Sequence, residues 1–163
     1  MVEMELAAIR VELPSNTPVV LLRESANGAR TLPILIGHQE ANAIAFALQG
    51  VETQRPMTHD LMKDLLVALG VVVNAIVITE LVNGIFYAEI RMHHAGQPVV
   101  VSSRPSDAMA LAVRIGVPIF AEDDVLAENA VTFEDEPEGE AEVVREFQQF
   151  IENVRPEDFA PPS

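Results

Sequence analysis

Val71-Val72-Val73-Asn74-Ala75-Ile76-Val77-Ile78-Thr79-Glu80-Leu81, followed across Val82-Asn83-Gly84 by Ile85-Phe86-Tyr87-Ala88-Glu89-Ile90-Arg91-Met92, is the stretch that decides the fold. Two runs rich in Val and Ile flank an Asn-Gly pair, whose tolerance of positive φ suits a tight hairpin turn. The reading is an antiparallel pair in the middle of the chain. Its longest apolar run, Val71 to Thr79, is far short of the roughly 20 residues a membrane-spanning helix needs.

Working outward toward the C-terminus, Ala95-Gly96-Gln97 turns the chain into a further strand, Val99 to Ser102. A helix follows from Ser106 to Ile115, stopped by Gly116 with Pro118 beyond it. The short run Pro118 to Ala121 reads as an edge or terminal strand. Toward the N-terminus, a helix from Thr58 to Leu69 carries Leu61, Leu65, Leu66 and Leu69 at helical spacing and ends at Gly70. A shorter helix, His38 to Leu48, is apolar on most sides. Strands are expected at Met4 to Leu13, Val19 to Glu24 and Thr31 to Ile36. Pro14 to Pro18 separates the first two, and Ala26-Asn27-Gly28 joins the last two as a hairpin. The sum is an α+β domain, a mixed, mainly antiparallel sheet with three short helices, over residues 1–130.

Composition divides the chain again. Its 163 residues are 49% hydrophobic, so a sizeable core is available. Of the net charge of −15, residues 1–121 hold only −3 and residues 122–163 hold −12. Residues 131–163 therefore read as an acidic tail, with Val143, Phe147, Phe150, Ile151 and Val154 marking one amphipathic helix over Glu142 to Val154. Such a tail suits contact with a basic protein partner, or shielding of the body. A near-neutral body with a single lysine lacks the basic surface from which nucleic-acid affinity usually arises. With no Trp and one Tyr, it also lacks stacking platforms for bases. The absence of cysteine excludes disulfides, thiolate metal sites and a cysteine nucleophile. The N-terminus shows no secretory pattern, so cytoplasmic residence and no membrane association are expected. The aliphatic strands favour a homo-oligomer.

The charged residues gather at helix starts. Arg55-Pro56-Met57-Thr58-His59-Asp60 and Ser103-Arg104-Pro105-Ser106-Asp107 each set Arg-Pro ahead of a hydroxyl residue and an Asp. Thr58 and Ser106 are of the type that caps a helix, and the following carboxylates sit where the helix dipole favours an anion. Glu40 is placed either to reach back toward Gly37 at the start of its own helix, or to serve as a metal ligand or general base. His59, Asp60, Lys63 and Asp64 are either an ion-paired first turn or a group for a hard cation with His59 as proton acceptor. Asp107 either pairs with Arg104 for stability or joins a site; Arg114 lies two turns along the same face. His38 opens its helix beside Glu40, while His93 and His94, adjacent on a strand, face opposite sides. No zinc-protease, phosphate-loop, dinucleotide or nucleophile-elbow motif is present.

Taken in order, Gly37-His38-Gln39-Glu40-Ala41-Asn42-Ala43-Ile44, Arg55 to Leu66, Ser103-Arg104-Pro105-Ser106-Asp107-Ala108-Met109-Ala110-Leu111-Ala112 and Pro118-Ile119-Phe120 resemble the bifunctional nuclease family of bacterial and plant domains. The resemblance runs from about Met4 to Phe120, and Phe147 to Phe159 is similar to that family's usual end. It implies a nuclease acting on RNA and DNA. In that reading one or two Mg²⁺ or Mn²⁺ ions are held by Glu40, Asp60 and Asp107, His59 moves a proton, and Arg104 steadies the phosphate of a nucleic-acid substrate. The alternative is a non-catalytic oligomeric or regulatory module whose charged helix starts only stabilise the fold. Convergence of the carboxylates separates the two.

Overall fold

The computed structural model describes residues 1–132, and Met1–Thr132 form one compact unit. The expected helix of the acidic tail lies outside the described residues. In chain order the elements are β1 (Val2–Glu12), β2 (Thr17–Glu24), β3 (Thr31–Leu35), α1 (His38–Leu48), α2 (Thr58–Ala68), β4 (Val72–Val82), β5 (Ile85–His94), β6 (Gln97–Ser103), α3 (Pro105–Ile115), β7 (Ile119–Ala121) and α4 (Asp123–Asn129).

The central hairpin forms as read. β4 pairs antiparallel with β5 from Val72 opposite His93 to Val82 opposite Ile85. Asn83 and Gly84 both take positive φ, 52° and 78°, the pattern that matches the twist of the flanking strands. The next turn repeats it with Ala95 and Gly96 at 48° and 78°, so an alanine there occupies a conformation that normally selects Gly or Asn.

The seven strands form one sheet in the order β3-β2-β1-β7-β4-β5-β6. Here the expectation of an edge position for Pro118 to Ala121 is corrected. β7 sits between β1 and β4, antiparallel to the first and parallel to the second. Three residues suffice because hydrogen bonds on both sides hold them, and those partners are distant in sequence. β7 thereby joins the N-terminal β1–β3 meander to the β4–β6 meander. It is also what makes the sheet mixed.

Ile76, Val77 and Ile78 are all fully buried, and since successive strand residues face opposite sides, β4 is covered on both faces. α3 packs over β4 and β5 and against α1 and α2. Its small residues Ala108, Ala110 and Ala112, buried with Met109 and Leu111, allow that close approach. A fourth helix, α4, was not expected from sequence. Seven residues are too few to display a helical period, although Asp123 and Asp124 in its first turn and buried Val125 and Leu126 are its signals. Glu122 N–H donates to Ile78 O at its start and Val131 pairs with Thr31 at its end, so α4 carries the chain from β4 across to edge strand β3.

α2 forms where its leucine spacing placed it, but with its apolar stripe turned outward. Of the leucines at helical spacing, Leu61, Leu65 and Leu69 are exposed, and His59 is the helix's one buried side chain. α3 already occupies the sheet, so α2 packs chiefly on α3 and turns its apolar stripe outward. Among the described residues, no helix is long and apolar enough to cross a membrane.

Candidate functional site

Three helix starts share one pattern. α1, α2 and α3 are preceded by Gly37, Met57 and Arg104 in extended conformation, and the third residue of each helix is acidic: Glu40, Asp60 and Asp107. A carboxylate there faces the exposed N–H groups and the positive end of the helix dipole. The hydroxyl caps expected at Thr58 and Ser106 are not made. Thr58 is the first residue of α2 and Ser106 the second of α3, because Pro105, with its fixed φ and missing N–H, takes the first position of α3. Asp60 caps α2 instead, its Oδ2 accepting from Met57 N–H at 3.0 Å.

The packing of α1 and α2 on either flank of α3 then brings four of the five expected residues into one network. Arg104 grips Asp107 with two hydrogen bonds, Nε to Oδ2 at 2.6 Å and Nη2 to Oδ1 at 3.1 Å. The same Nη2 reaches Glu40 Oε1 at 3.0 Å. His59 Nε2 lies 2.9 Å from Asp107 Oδ1. Because the ionised carboxylate only accepts, His59 donates through Nε2–H. Residues 40, 59, 104 and 107, scattered over the sequence, thus meet at the first turn of α3.

Asp60 stands apart. Its Oδ1 accepts from Arg114 Nε at 2.6 Å, and Arg114 also bonds Ala110 O on its own helix at 2.8 Å. The two arginines differ most in access: the Arg114 side chain is 7% exposed and that of Arg104 is 65% exposed. The first pair ties α2 to α3 inside the protein. The second presents a guanidinium to solvent, with Glu40 and Asp107 below it and His59, 9% exposed, behind Asp107.

Burial pushes Asp60 up, but the hydrogen bonds from Arg114 and Met57 N–H outweigh it and hold the carboxyl below its ordinary value. Burial acts likewise on Asp107, where the bonds from Arg104 and His59 prevail and again lower it. Arg104 is raised, first by its hydrogen bond to Asp107 and further by Glu40. Both aspartates are therefore charged at neutral pH. Among the described residues, no three His, Asp or Glu side chains are grouped to hold one metal ion. The pair that comes to one point is Glu40 and Asp107, an oxygen of each meeting the same Arg104 nitrogen. His93 bonds Asn74 at 2.6 Å at the far end of β5 and takes no part.

Gly37 does more than start α1, because its lack of a side chain matters to the site. Its φ of −77° is open to any residue. A Cβ built there would lie 2.1 Å from Glu40 Oε2. The space is filled by the Glu40 carboxylate, folded back over the glycine toward Arg104. Sequence also missed Arg114 as the partner of Asp60, and a groove beside Arg104 formed by the β3–α1 segment and the β4–β5 turn. Neither leaves a local signal.

The network falls within a stretch that matches a known family model. Residues 20–134 match the bifunctional nuclease domain. Over 163 aligned residues the chain is 47% identical to an uncharacterized protein of Mycobacterium tuberculosis (strain ATCC 25618 / H37Rv), covering 96% of this chain and 97% of that one. It is 31% identical over 113 residues to Bifunctional nuclease 2 of Arabidopsis thaliana, covering 66% of this chain and 34% of the relative. With the Bifunctional nuclease of Oryza minuta it shares 23% identity over 142 residues, 85% of this chain and 43% of the relative. The chain thus spans well under half the length of these plant relatives. With the family model covering most of the chain and all five expected residues, the chain belongs to the bifunctional nuclease domain family.

Proposed function

We propose that this chain hydrolyses phosphodiester bonds in RNA and DNA at the first turn of α3. The observation that carries this reading is Arg104, an exposed guanidinium held at once by two carboxylates, set in a domain whose relatives are named nucleases. Arg104 binds the phosphate, for which its planar fork of donors is suited. In turning to the phosphate it leaves Asp107. That frees Asp107 Oδ2, which Arg104 Nε engages and His59 does not, to accept a proton from the attacking water. His59 holds Asp107 in place through Nε2–H and steadies its charge from the protein side.

A divalent ion fits Glu40 and Asp107, because Mg²⁺ commonly takes one or two carboxylates and completes its shell with water and substrate phosphate. Their oxygens already share one cationic nitrogen of Arg104. Mg²⁺ or Mn²⁺ bound there would stabilise charge on the phosphoryl oxygens. Asp60, engaged by Arg114, supports this arrangement as a structural residue.

The test is cleavage of labelled single-stranded RNA and DNA with Mg²⁺, Mn²⁺ or chelator, by wild type, Glu40→Gln and Asp107→Asn. Loss of cleavage in both variants is expected, with both still folded and melting cooperatively and Asp107→Asn somewhat less stable than wild type because its charge is held by Arg104 and His59. Cleavage that persists undiminished in both overturns the reading.

A second reading, a non-catalytic oligomeric module, has an observation of its own. The β6 edge carries no charge from Gln97 to Ser103, its register with β5 is unbroken, and Val99, Val100 and Val101 are exposed. Uncovered strands of this kind pair with other chains unless blocked. Absence of cleavage under every condition, with a homo-oligomer in sedimentation that Val100→Lys dissociates, would favour it.

A further inference from the structure

The groove beside Arg104 has a volume of about 400 Å³, within the range of small-ligand sites. It is lined by the β3–α1 segment with Leu35, Ile36 and Gly37, by Ile85 and Phe86 after the β4–β5 turn, and by Arg104. Leu35 is 62% exposed and Ile85 59% exposed. Two large apolar side chains from segments 50 residues apart in sequence thus stand open to water in the lining of one groove that also includes a cation.

Resting on the phosphodiesterase reading, we infer that this groove is a nucleobase subsite: it takes the base of the nucleotide whose phosphate Arg104 binds. Charge and shape argue for that occupant together. Arg104 selects an anionic group, but it is already satisfied by Glu40 and Asp107. A bare phosphate must displace two carboxylates and gains nothing else. A nucleotide also buries the faces of a flat ring against Leu35, Ile85 and Phe86, a gain every base offers because each has an apolar face. Among the side chains lining the groove only Arg104 and Ser106 carry hydrogen-bonding groups, so the ring burial against Leu35, Ile85 and Phe86 is open to any base. It also requires an unpaired base, since a base within a duplex cannot enter.

The test is binding to the full chain at about 0.15 M salt, followed by amide NMR shifts. The ligands are inorganic phosphate, ribose 5-phosphate, and uridine and adenosine 5′-monophosphates, monoesters that phosphodiester cleavage cannot consume. Both nucleotides are expected to bind about tenfold or more tightly than ribose 5-phosphate, with the largest shifts at residues 35–37, 84–86 and 104. In Leu35→Ser/Ile85→Ser, whose exposed positions spare the core, that advantage disappears while ribose 5-phosphate binds as before. Equal binding of nucleotides and ribose 5-phosphate, shifts located elsewhere, or no binding of any ligand overturns the subsite. Base-dependent binding without any cleavage would retain the subsite and overturn the hydrolase reading alone. Cleavage with base-indifferent binding would do the reverse.

Discussion

The starts of α2 and α3 are built from nearly the same residues and end in different uses. Both carry Arg-Pro, and both place Asp at the third helical position beside a buried second residue, His59 in one and Ser106 in the other. In α3 proline is inside the helix, so Arg104 becomes the residue before it and folds onto its own Asp107. In α2 proline lies two residues further out, ahead of Met57, Arg55 is left exposed, and Asp60 takes Arg114 from α3 instead. A shift of two residues thus separates a buried inter-helix tie from an exposed, displaceable ion pair. The first serves the fold and the second is available to a ligand.

Arginine truncation is the strongest way to break this comparison. Arg104→Ala is expected to lower phosphodiester cleavage by about 10²-fold or more, the scale of losing one charge-stabilising donor, while changing stability by less than about 1 kcal/mol, as for an exposed ion pair. Arg114→Ala should show the opposite profile. It strands Asp60 and a buried helix contact, and its cost is on the order of 2–4 kcal/mol, near the lower end for a broken buried pair because Asp60 is partly exposed. Thermal melts and cleavage rates on the same preparations check both. Matching losses in the two variants would erase the distinction.

Gly37→Ala sharpens it further. The backbone accepts alanine without strain, but the added methyl expels the Glu40 carboxylate from its place over Gly37. The expected outcome is an unchanged melting temperature and about tenfold slower cleavage, with Gly37→Ala/Glu40→Gln no worse than Glu40→Gln alone. A double variant much slower than Glu40→Gln would show that Gly37 acts by another route.

The smallest effect concerns acid. The ordinary aspartate value is 3.8, and Asp60 and Asp107 are both held below it in the folded chain. Their contribution is therefore complete above the unfolded value and is lost as pH falls through the lowered folded values, where the unfolded chain binds more protons. Melting temperature should decline from about pH 5 downward. Asp60→Asn should start from a lower stability and decline less steeply. A slope equal to wild type would mean that Asp60 gains nothing from Arg114.

Much of this was legible because it is local. The β4–β5 hairpin follows from two runs rich in Val and Ile around Asn83-Gly84, and α1 from an apolar run opened by Gly37 and closed at Leu48. The acidic third residue of each helix was legible too, since the helix dipole acts within one turn. What the sequence by itself determined is therefore the set of elements and the charges at their ends. Tertiary structure alone decided which charges meet. Arg114 reaches Asp60 across 54 positions and Arg104 reaches Glu40 across 64, and nothing near either residue specifies its partner. It also decided that β7 belongs at the centre of the sheet, that His59 is buried behind Asp107, and that the leucine stripe of α2 faces outward. Each depends on which surface α3 covers first, and packing of that kind is a competition among distant elements that no local pattern records.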